Sequence, residues 1–445
     1  MKRRKLLALT LAMTSMLTFT MTGCGKSSEV SSNDKSEKNG KTEVNIFQFK
    51  VEVAKELEKA ANEYMKEKPD VKINIETVGG GEDYGAALKA KFKSGKEPTI
   101  FNVGGPQDVE DWKGKLEDLT NEPWVGKVLP GMLDGVTMDG KVYGLPFSVE
   151  GYGLIYNKRI FQAAGIDGSK IDSYAKLEEA VKTIDSKIKS GALKKDFPKL
   201  EAVFEFPAKE KWVTGLHTSN AALGQEFKSS IDSYKSKTVD FKYSEGYKKL
   251  IDLQANYSPN GKSKEKLNAV DYSTQVDQGI AIERVAIVQQ GNWIYGGVKA
   301  IDEKVANNLD ILPMSIQGGK EDCIPVGIPM HWAINKNQSD KSKAAAKDFL
   351  NWLYTSDKGK DFVVNKFFFI PALKGYENYK PQDSLGKAIQ RYIEAGKTTP
   401  WVFMGYPTAW GENVLGANIQ KYLSGKMTWD ELVKDSKAQW ESKRK

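Results

Sequence analysis

The apolar residues near the start of the folded region switch repeatedly between strand-like and helix-like spacing. Residues 44–49 and 71–77 alternate apolar and polar side chains, which is typical of half-buried strands, and residues 98–103 form a third short run. Between these runs, apolar side chains recur every three to four positions up to Lys68 and again over 83–94, which indicates two helices. This order predicts an α/β fold on a mostly parallel sheet with helices on both faces.

Polar side chains follow the three predicted strands. Ligands of such sheets bind beyond the carboxyl ends of the strands, so these residues are candidates for a binding site. The candidates are Gln48, Glu82, Asp83, Gln107 and Asp108. We favour Asp83 and Asp108, since one carboxylate can accept hydrogen bonds from two hydroxyl groups. A solvated loop acid is the alternative interpretation at each position.

The N-terminal segment has the pattern of a bacterial lipoprotein signal. Four basic residues at 2–5 precede an uncharged run, which predicts a signal peptide over 1–23 rather than a permanent membrane span. Cys24 follows a small residue, as in a bacterial lipobox, so we expect it to carry a lipid anchor with palmitate. Residues 24–42 are rich in Ser, Lys, Asn, Glu and Gly and predict a flexible tether at the extracellular face of the cytoplasmic membrane.

The charge of the chain does not favour a nucleic-acid partner. Its 66 basic and 58 acidic residues give a formal net charge of +8. The four basic residues at 2–5 account for half of that charge, which leaves +4 after cleavage. Lysines and acids alternate throughout the rest of the chain, so we expect no nucleic-acid binding.

Cysteine and histidine are too few for several classes of protein. Two of each argue against a disulfide scaffold, a Cys/His metal cluster and most histidine-driven catalysis, and we expect neither a metal nor another cofactor. With Cys24 lipidated, Cys323 has no partner, and we expect a small, partly buried residue. The chain contains no G-x-S-x-G, H-E-x-x-H or complete P-loop motif, so we do not predict an enzyme.

Five further motifs occur in a characteristic order, one of them the helical segment 345–362. Residues 138–165, MDGKVYGLPFSVEGYGLIYNKRIFQAAG, contain a hairpin, a strand and the start of a helix. Residues 286–293 form a strand ending in Gly-Asn-Trp, residues 324–334 form a glycine-rich strand, and residues 420–440 form a terminal helix pair. In this order and spacing, the chain resembles family 1 extracellular solute-binding proteins of ABC sugar importers, the maltose-binding-protein-like group, over residues 43–441.

The resemblance implies a two-lobe clamp in which each lobe is a mostly parallel sheet flanked by helices. The chain would cross the hinge more than once, with 43–147 plus 326–370 in one lobe and 148–325 plus 371–445 in the other. A carbohydrate, most simply an oligosaccharide, would bind between the lobes, and clamp closure would present it to the transmembrane permease subunits of an ABC transporter. We expect a monomer.

A sugar ring has an apolar face, which aromatic planes suit, and a rim of hydroxyl groups, which polar side chains suit. Trp293 and Asn292 follow a strand at a turn, and Trp293 falls where the family commonly stacks a sugar. The further candidates are Trp332, His331, Trp410, Glu150 and Tyr152. Of Trp401 and Trp410 in one loop-like stretch, we favour Trp410, and Trp212 with His217 is equally a core or a cleft residue.

Two other functions stay open at this stage. A secreted glycan hydrolase would need two carboxylates, and a chain with 58 acids offers many pairs. The same binding fold with a polyol, an amino sugar or a charged glycan is the second alternative. Binding without hydrolysis separates the receptor from the hydrolase.

Overall fold

The computed structural model describes residues 37–38 and 40–445. The predicted signal peptide, the lipidation of Cys24 and most of the predicted tether lie outside these residues. Among the helices of the described residues, none combines the length and apolar character that a membrane span requires.

The strands of the described residues are short, and among them only β2 and β8 reach eight residues. In chain order they are β1 (Glu37–Lys38), β2 (Lys41–Gln48), β3 (Val71–Thr77), β4 (Ile100–Val103), β5 (Thr137–Met138), β6 (Lys141–Val142), β7 (Leu145–Pro146), β8 (Glu150–Asn157), β9 (Ala202–Phe204), β10 (Val285–Gly291), β11 (Leu309–Leu312), β12 (Ile324–Gly327), β13 (His331–Ile334) and β14 (Thr398–Thr399).

The helices are interspersed with the strands along the described residues. They are α1 (Ala54–Glu67), α2 (Tyr84–Lys93), α3 (Pro106–Trp112), α4 (Lys158–Ala163), α5 (Tyr174–Lys189), α6 (Ser219–Leu223), α7 (Ser230–Lys235), α8 (Ser244–Asn256), α9 (Tyr272–Gln275), α10 (Tyr295–Ile301), α11 (Glu303–Ala306), α12 (Asp340–Thr355), α13 (Asp357–Asp361), α14 (Ser384–Glu394), α15 (Ala417–Leu423) and α16 (Trp429–Lys443).

The first lobe is built on a sheet with the order β1-β2-β4-β13-β7, in which β3 also pairs with β2. Strand β2 runs parallel to β3 and β4, so the carboxyl ends of these three strands meet at one edge. The predicted strand–helix–strand–helix–strand order over 44–103 is present, because each apolar run buries one face against α1 or α12. Strand β2 begins at Lys41 and pairs with β1, so ordered structure starts before the predicted tether ends at 42.

The second lobe is built on a sheet with the order β14-β12-β8-β10-β9, with β11 also paired to β8. All eight residues of β8 are buried, which makes it the centre of this lobe. Both sheets are mixed rather than mostly parallel, because β8 in the second sheet and β13 in the first run antiparallel to their neighbours.

Within the described residues the chain passes between the two sheets three times. It passes first between β7 and β8, then between β12 and β13, and finally between Tyr379, which packs on the first core, and Leu385 of the second. Two passages come later than the predicted boundaries at 326 and 371. Strand β12 pairs with β8 and β14, and Leu373 packs in the first core.

Candidate functional site

Lys50 lies two residues past the end of β2, where the two lobes meet. The Gln48 side chain holds the turn, because its Nε2 donates to the carbonyl oxygen of Lys50 at 3.0 Å and its Oε1 accepts from the Lys50 amide at 2.7 Å. Gln48 also donates to Thr77 at the end of β3 at 2.6 Å. Lys50 is only 3% exposed, so its ammonium group needs a partner inside the protein.

Glu150, the first residue of β8, provides that partner. Its carboxylate forms an ion pair with the Lys50 ammonium group and accepts a hydrogen bond from Ser148 at 3.3 Å. Burial raises the pKa of Glu150, and the attraction of Lys50 only partly opposes this effect. Lys50 belongs to the first lobe and Glu150 to the second sheet, so this buried pair joins the lobes close to the hinge.

Five ring side chains of the second lobe pack together beside this ion pair, and we call this cluster the aromatic wall. Two of them, Trp212 and Trp293, are half-buried, and the other three are buried. His217 stacks on Tyr152, with centroids 4.2 Å apart and planes at 10°. Trp293 and Trp212 lie 5.4 Å and 5.2 Å from His217, and Trp401 lies 5.3 Å from Tyr152. The Lys50 ammonium lies 5.4 Å from the ring centroid of Trp293, so the first lobe contacts the wall directly.

Trp293 owes its position to the turn that ends β10. A Cβ atom at Gly291 would lie 2.1 Å from Cζ3 of Trp293, so only glycine leaves room for the ring. The Trp293 Nε1 donates to Gln290 at 2.9 Å, and the neighbouring Asn292 accepts from the amide of Gly151 at 3.1 Å. These bonds hold the end of β10 against β8 and turn the indole toward the other lobe.

His217 lies in a wide helical turn over Val213–Thr218 and is almost fully buried. Burial, with a smaller contribution from the nearby Lys50 charge, lowers the pKa of His217 to about 3. The imidazole is therefore neutral at physiological pH and presents an uncharged ring to the aromatic wall.

Carboxylates of the second lobe face the end of β3. Glu210 accepts from Trp212 Nε1 at 2.9 Å and from the Tyr272 amide at 3.0 Å, and its carboxylate oxygens lie 3.1 Å from where a Cβ of Gly81 would be. Burial raises the pKa of Glu412 to about 7, with Asp83 of the first lobe as the next cause.

At the end of β4, Met404 and Arg444 of the second lobe contact the first lobe. Asp108 accepts from the Gly104 amide at 2.7 Å, which closes the turn before α3, and burial raises the pKa of this carboxyl group. Met404 of the second lobe lies directly against this turn. Gln107 donates to Asp111 at 2.9 Å and accepts from Arg444 at 2.6 Å.

The structure brings together three residues predicted from the sequence and places three others away from the aromatic wall, and Tyr152 among the first three is itself fully buried. Glu150, Tyr152 and Trp293 meet at the interlobe site. Trp332 stacks on Phe147 at 4.1 Å and donates to Tyr354 in the first core. The site that we describe therefore leaves out Trp332.

Trp410 and His331 are also buried away from the aromatic wall. Trp410 is fully buried, donates to the Ser436 carbonyl at 2.9 Å and packs on Trp440 at 4.8 Å. His331 lies in the first core with Nδ1 3.0 Å from the Gly104 carbonyl oxygen, and burial lowers its pKa to about 4. Trp401, not the favoured Trp410, contributes to the aromatic wall.

The remaining predicted polar residues lie around the site in different roles. Gln48 and Asn292 are buried and position the backbone next to Lys50 and Trp293. Asp83 caps α2 by accepting from the Ala86 amide at 2.8 Å, and the neighbouring Glu82 is exposed. Asp108 and Gln107 lie at the β4 end.

Sequence reasoning missed Lys50, left Trp212 with His217 open between core and cleft, and favoured Trp410 over Trp401. Lys50 stands directly after a predicted strand, where a lysine is usually solvated, so only the Gln48 turn and the buried Glu150 distinguish it. Trp401 and Trp410 occupy the same loop-like stretch, and the sequence contains no signal for which indole faces the cleft.

The site presents ring faces on one side and charged or amide groups on the other. Within the part of the chain that the structure describes, no three His, Cys, Asp or Glu side chains are arranged to hold a metal ion. The combination suits a polar ligand that carries apolar faces and hydroxyl groups.

The fold and the interlobe site together define a two-lobe binding protein. The family model described as bacterial extracellular solute-binding protein matches residues 50–360, and the chain belongs to this family. Membership places its solute-binding role outside the cytoplasm. The predicted family and the two-lobe α/β clamp are thereby confirmed.

Curated relatives and solved structures agree with this assignment. The multiple sugar-binding protein of Streptococcus mutans is 23% identical over 60% of this chain and 61% of its own length. The maltotriose-binding protein of Pyrococcus abyssi is 25% identical over 70% of this chain and 62% of its own length. The chain thus spans less than two thirds of these curated relatives. A chitin oligosaccharide binding protein of known structure superposes with a TM-score of 0.71 at 21% identity, covering 91% of this chain and all of that one.

Proposed function

We propose that this chain is the substrate-binding component of an ABC transporter and that it captures an oligosaccharide between its lobes. The aromatic wall of Tyr152, Trp212, His217, Trp293 and Trp401 carries this proposal. Trp293 offers a half-buried indole at the junction of the lobes, where a sugar ring can stack. Curated relatives named as multiple sugar-binding and maltotriose-binding proteins support the same ligand class.

The charged groups next to the aromatic wall suit the hydroxyl rim of a sugar. Lys50 donates hydrogen bonds only, whereas Glu150 and Glu210 accept them, so a hydroxyl group finds both roles within one site. Lys50 and Glu150 neutralise each other. This balance favours a neutral glycan over a strongly charged one.

Clamp closure couples binding to transport in this proposal. A ligand that touches Lys50 of the first lobe and Trp293 of the second has its full set of contacts only when the lobes close, so it shifts the population toward the closed form. The closed form then engages the permease subunits. A lipid on Cys24 holds the protein at the extracellular face of the cytoplasmic membrane, and the protein has no enzymatic role.

A saccharide screen tests the proposal. Residues 25–445 are purified and examined by thermal shift and calorimetry with maltotriose, raffinose, stachyose and chitin oligosaccharides. We expect stoichiometric binding of at least one of them and a higher melting temperature on binding.

Chromatography of the same mixtures provides the second measurement. Unchanged saccharide after long incubation supports a receptor, and released shorter products would show a hydrolase instead. Binding of none of the saccharides, with a folded protein by circular dichroism, would contradict the carbohydrate proposal.

A further inference from the structure

The edge of the first sheet that faces the second lobe differs in solvent exposure between the turn after β3 and the turn after β4. Because β2 lies between β3 and β4 and runs parallel to both, the turns after β3 and β4 lie on opposite sides of Lys50. The turn after β4, Gly104–Gly105, is buried. The turn after β3 contains Gly80 and Gly81, and both are exposed.

Met404 of the second lobe closes the β4 end. A Cβ atom at Gly104 would lie 3.0 Å from the Met404 sulfur, and one at Gly105 would lie 2.7 Å from the Met404 Cβ. The distance at Gly105 leaves no room for a side chain unless Met404 moves, and the distance at Gly104 is a tight contact. The Gly104–Gly105 pair therefore forms a socket into which Met404 fits when the lobes are together.

Two hydrogen bonds between the lobes lie beside this socket. The Thr408 hydroxyl donates to Asp111 of α3 at 2.7 Å. Arg444, near the C-terminus, donates to Gln107 of α3 at 2.6 Å and lies 5.7 Å from the Trp440 ring. Met404, Thr408 and Arg444 of the second lobe thus contact α3 or the turn before it. We call this set of contacts the α3 seal.

At the β3 end Glu210 of the second lobe approaches Gly81, with its carboxylate oxygens 3.1 Å from where a Cβ would be, but Gly80 and Gly81 stay exposed there, whereas Gly104 and Gly105 are buried. The turn after β3 has Gly80 and Gly81 at φ +65° and +106°, and Glu82 and Asp83 beside them are exposed. The second lobe offers the carboxylate of Glu210 here, a group that accepts hydrogen bonds from hydroxyl groups. A chain-like ligand has protein in front of it at the β4 end and solvent-exposed polar groups at the β3 end.

We propose that Met404 is a specificity-determining residue, which makes the protein bind one terminus of a linear oligosaccharide while the remaining units leave past Gly80 and Gly81. This inference rests on the proposed carbohydrate function. It adds that the terminal unit lies between Lys50 and the α3 seal, and that the ligand has one orientation.

Labelled oligosaccharides test the inference. The linear oligosaccharide that binds most tightly in the saccharide screen is prepared with a bulky fluorophore at its reducing end and, separately, at its non-reducing end. The wild-type protein should bind one isomer like the unlabelled sugar and the other about tenfold more weakly, the change that about 1.4 kcal/mol of steric cost produces. Equal affinity for both isomers would overturn end recognition.

Variants connect the asymmetry to the α3 seal. Met404→Ala should reduce the difference between the two isomers severalfold, and Thr408→Val, which removes one hydrogen bond at nearly constant size, should reduce it less. Met427→Ala is the matched control, because Met427 packs on the same core away from the cleft and should leave the difference unchanged.

The experiment distinguishes failure of the proposed carbohydrate function from failure of the proposed role of Met404. If no unlabelled saccharide binds, the carbohydrate function and end recognition both fall. If unlabelled saccharides bind and Met404→Ala leaves the isomer difference at its wild-type value, the function stands and the role of Met404 is wrong.

Discussion

Lys50 and Glu150 are the residues on which the site most depends, because a buried charge is stable only beside its partner. Both side chains are almost fully excluded from solvent, at 4% and 3% exposure. Removing one partner of such a pair leaves the other charge buried and uncompensated, whereas removing both can be nearly neutral. The pair therefore contributes more to the arrangement of the hinge than to net stability.

Replacing Lys50 by methionine should lower the free energy of unfolding by about 3 kcal/mol, measured by urea denaturation at pH 7. The double variant Lys50→Met/Glu150→Gln should recover part of this loss. Lys176→Met, which breaks an exposed pair with Asp172, is the control and should change stability by less than about 1 kcal/mol. A neutral effect of Lys50→Met alone would contradict the buried-pair interpretation.

His217 should make the protein sensitive to acid. Its pKa is about 3 in the folded protein and 6.5 as the ordinary value, so the unfolded chain takes up a proton that the folded protein does not. Stability is therefore unaffected above pH 6.5 and falls as the pH drops below it, by about 2 kcal/mol at pH 5. Urea denaturation of wild type and His217→Asn at pH 7 and pH 5 measures the effect, and the variant should lose about 2 kcal/mol less. Equal losses would show that His217 is protonated in the folded state.

At the scale of elements, the end of β10 determines where Trp293 lies. In the sequence Gly291-Asn292-Trp293, Gly291 lets the backbone lie close to the indole ring of Trp293. Asn292 accepts a hydrogen bond from the Gly151 amide of β8. An added methyl group at Gly291 has to displace the ring, since the nearest ring atom is 2.1 Å away.

Gly291→Ala should lower both stability and saccharide affinity, with a loss of about 1–3 kcal/mol in the free energy of unfolding. Gly297→Ala in α10 is the matched control. A Cβ atom there meets nothing within 4 Å, and alanine is the better helix former, so stability should stay constant or rise. Thermal unfolding and calorimetry of the two variants measure the effects, and similar behaviour of both would rule out the proposed role of Gly291.

Local sequence patterns predicted helices and strands better than they predicted which strands pair and which way a side chain points. The period of apolar residues marks β2, α1, β3 and α2, because burial of one face repeats along each element. The mixed sheets depend on β8 and β13 meeting strands far away in sequence, and no local period encodes such pairing. Trp332 illustrates the same limit, since its indole turns into the first core through Tyr354, more than twenty positions away.

At the scale of the whole molecule, the chain passes between the two sheets three times within the described residues, and the hinge and the binding site lie together at the junction of the lobes. Lys50, Glu150 and Trp293 come from three separate segments, and they meet because β2 and β10 end, and β8 begins, at the junction of the lobes. The family resemblance predicted the clamp, and Trp293 with its turn was predicted within it. The Lys50–Glu150 ion pair could not be predicted from the sequence, because the two residues meet only in the folded structure.

The central claim is that the aromatic wall binds a carbohydrate, and calorimetry on matched tryptophan variants tests it most directly. Trp293→Ala removes the half-buried indole at the cleft, and Trp352→Ala removes a half-buried indole on α12 of the first lobe. With the saccharide that binds wild type most tightly, Trp352→Ala should keep wild-type affinity, and Trp293→Ala should bind about tenfold or more weakly. A folded Trp293→Ala protein with wild-type affinity would contradict the account.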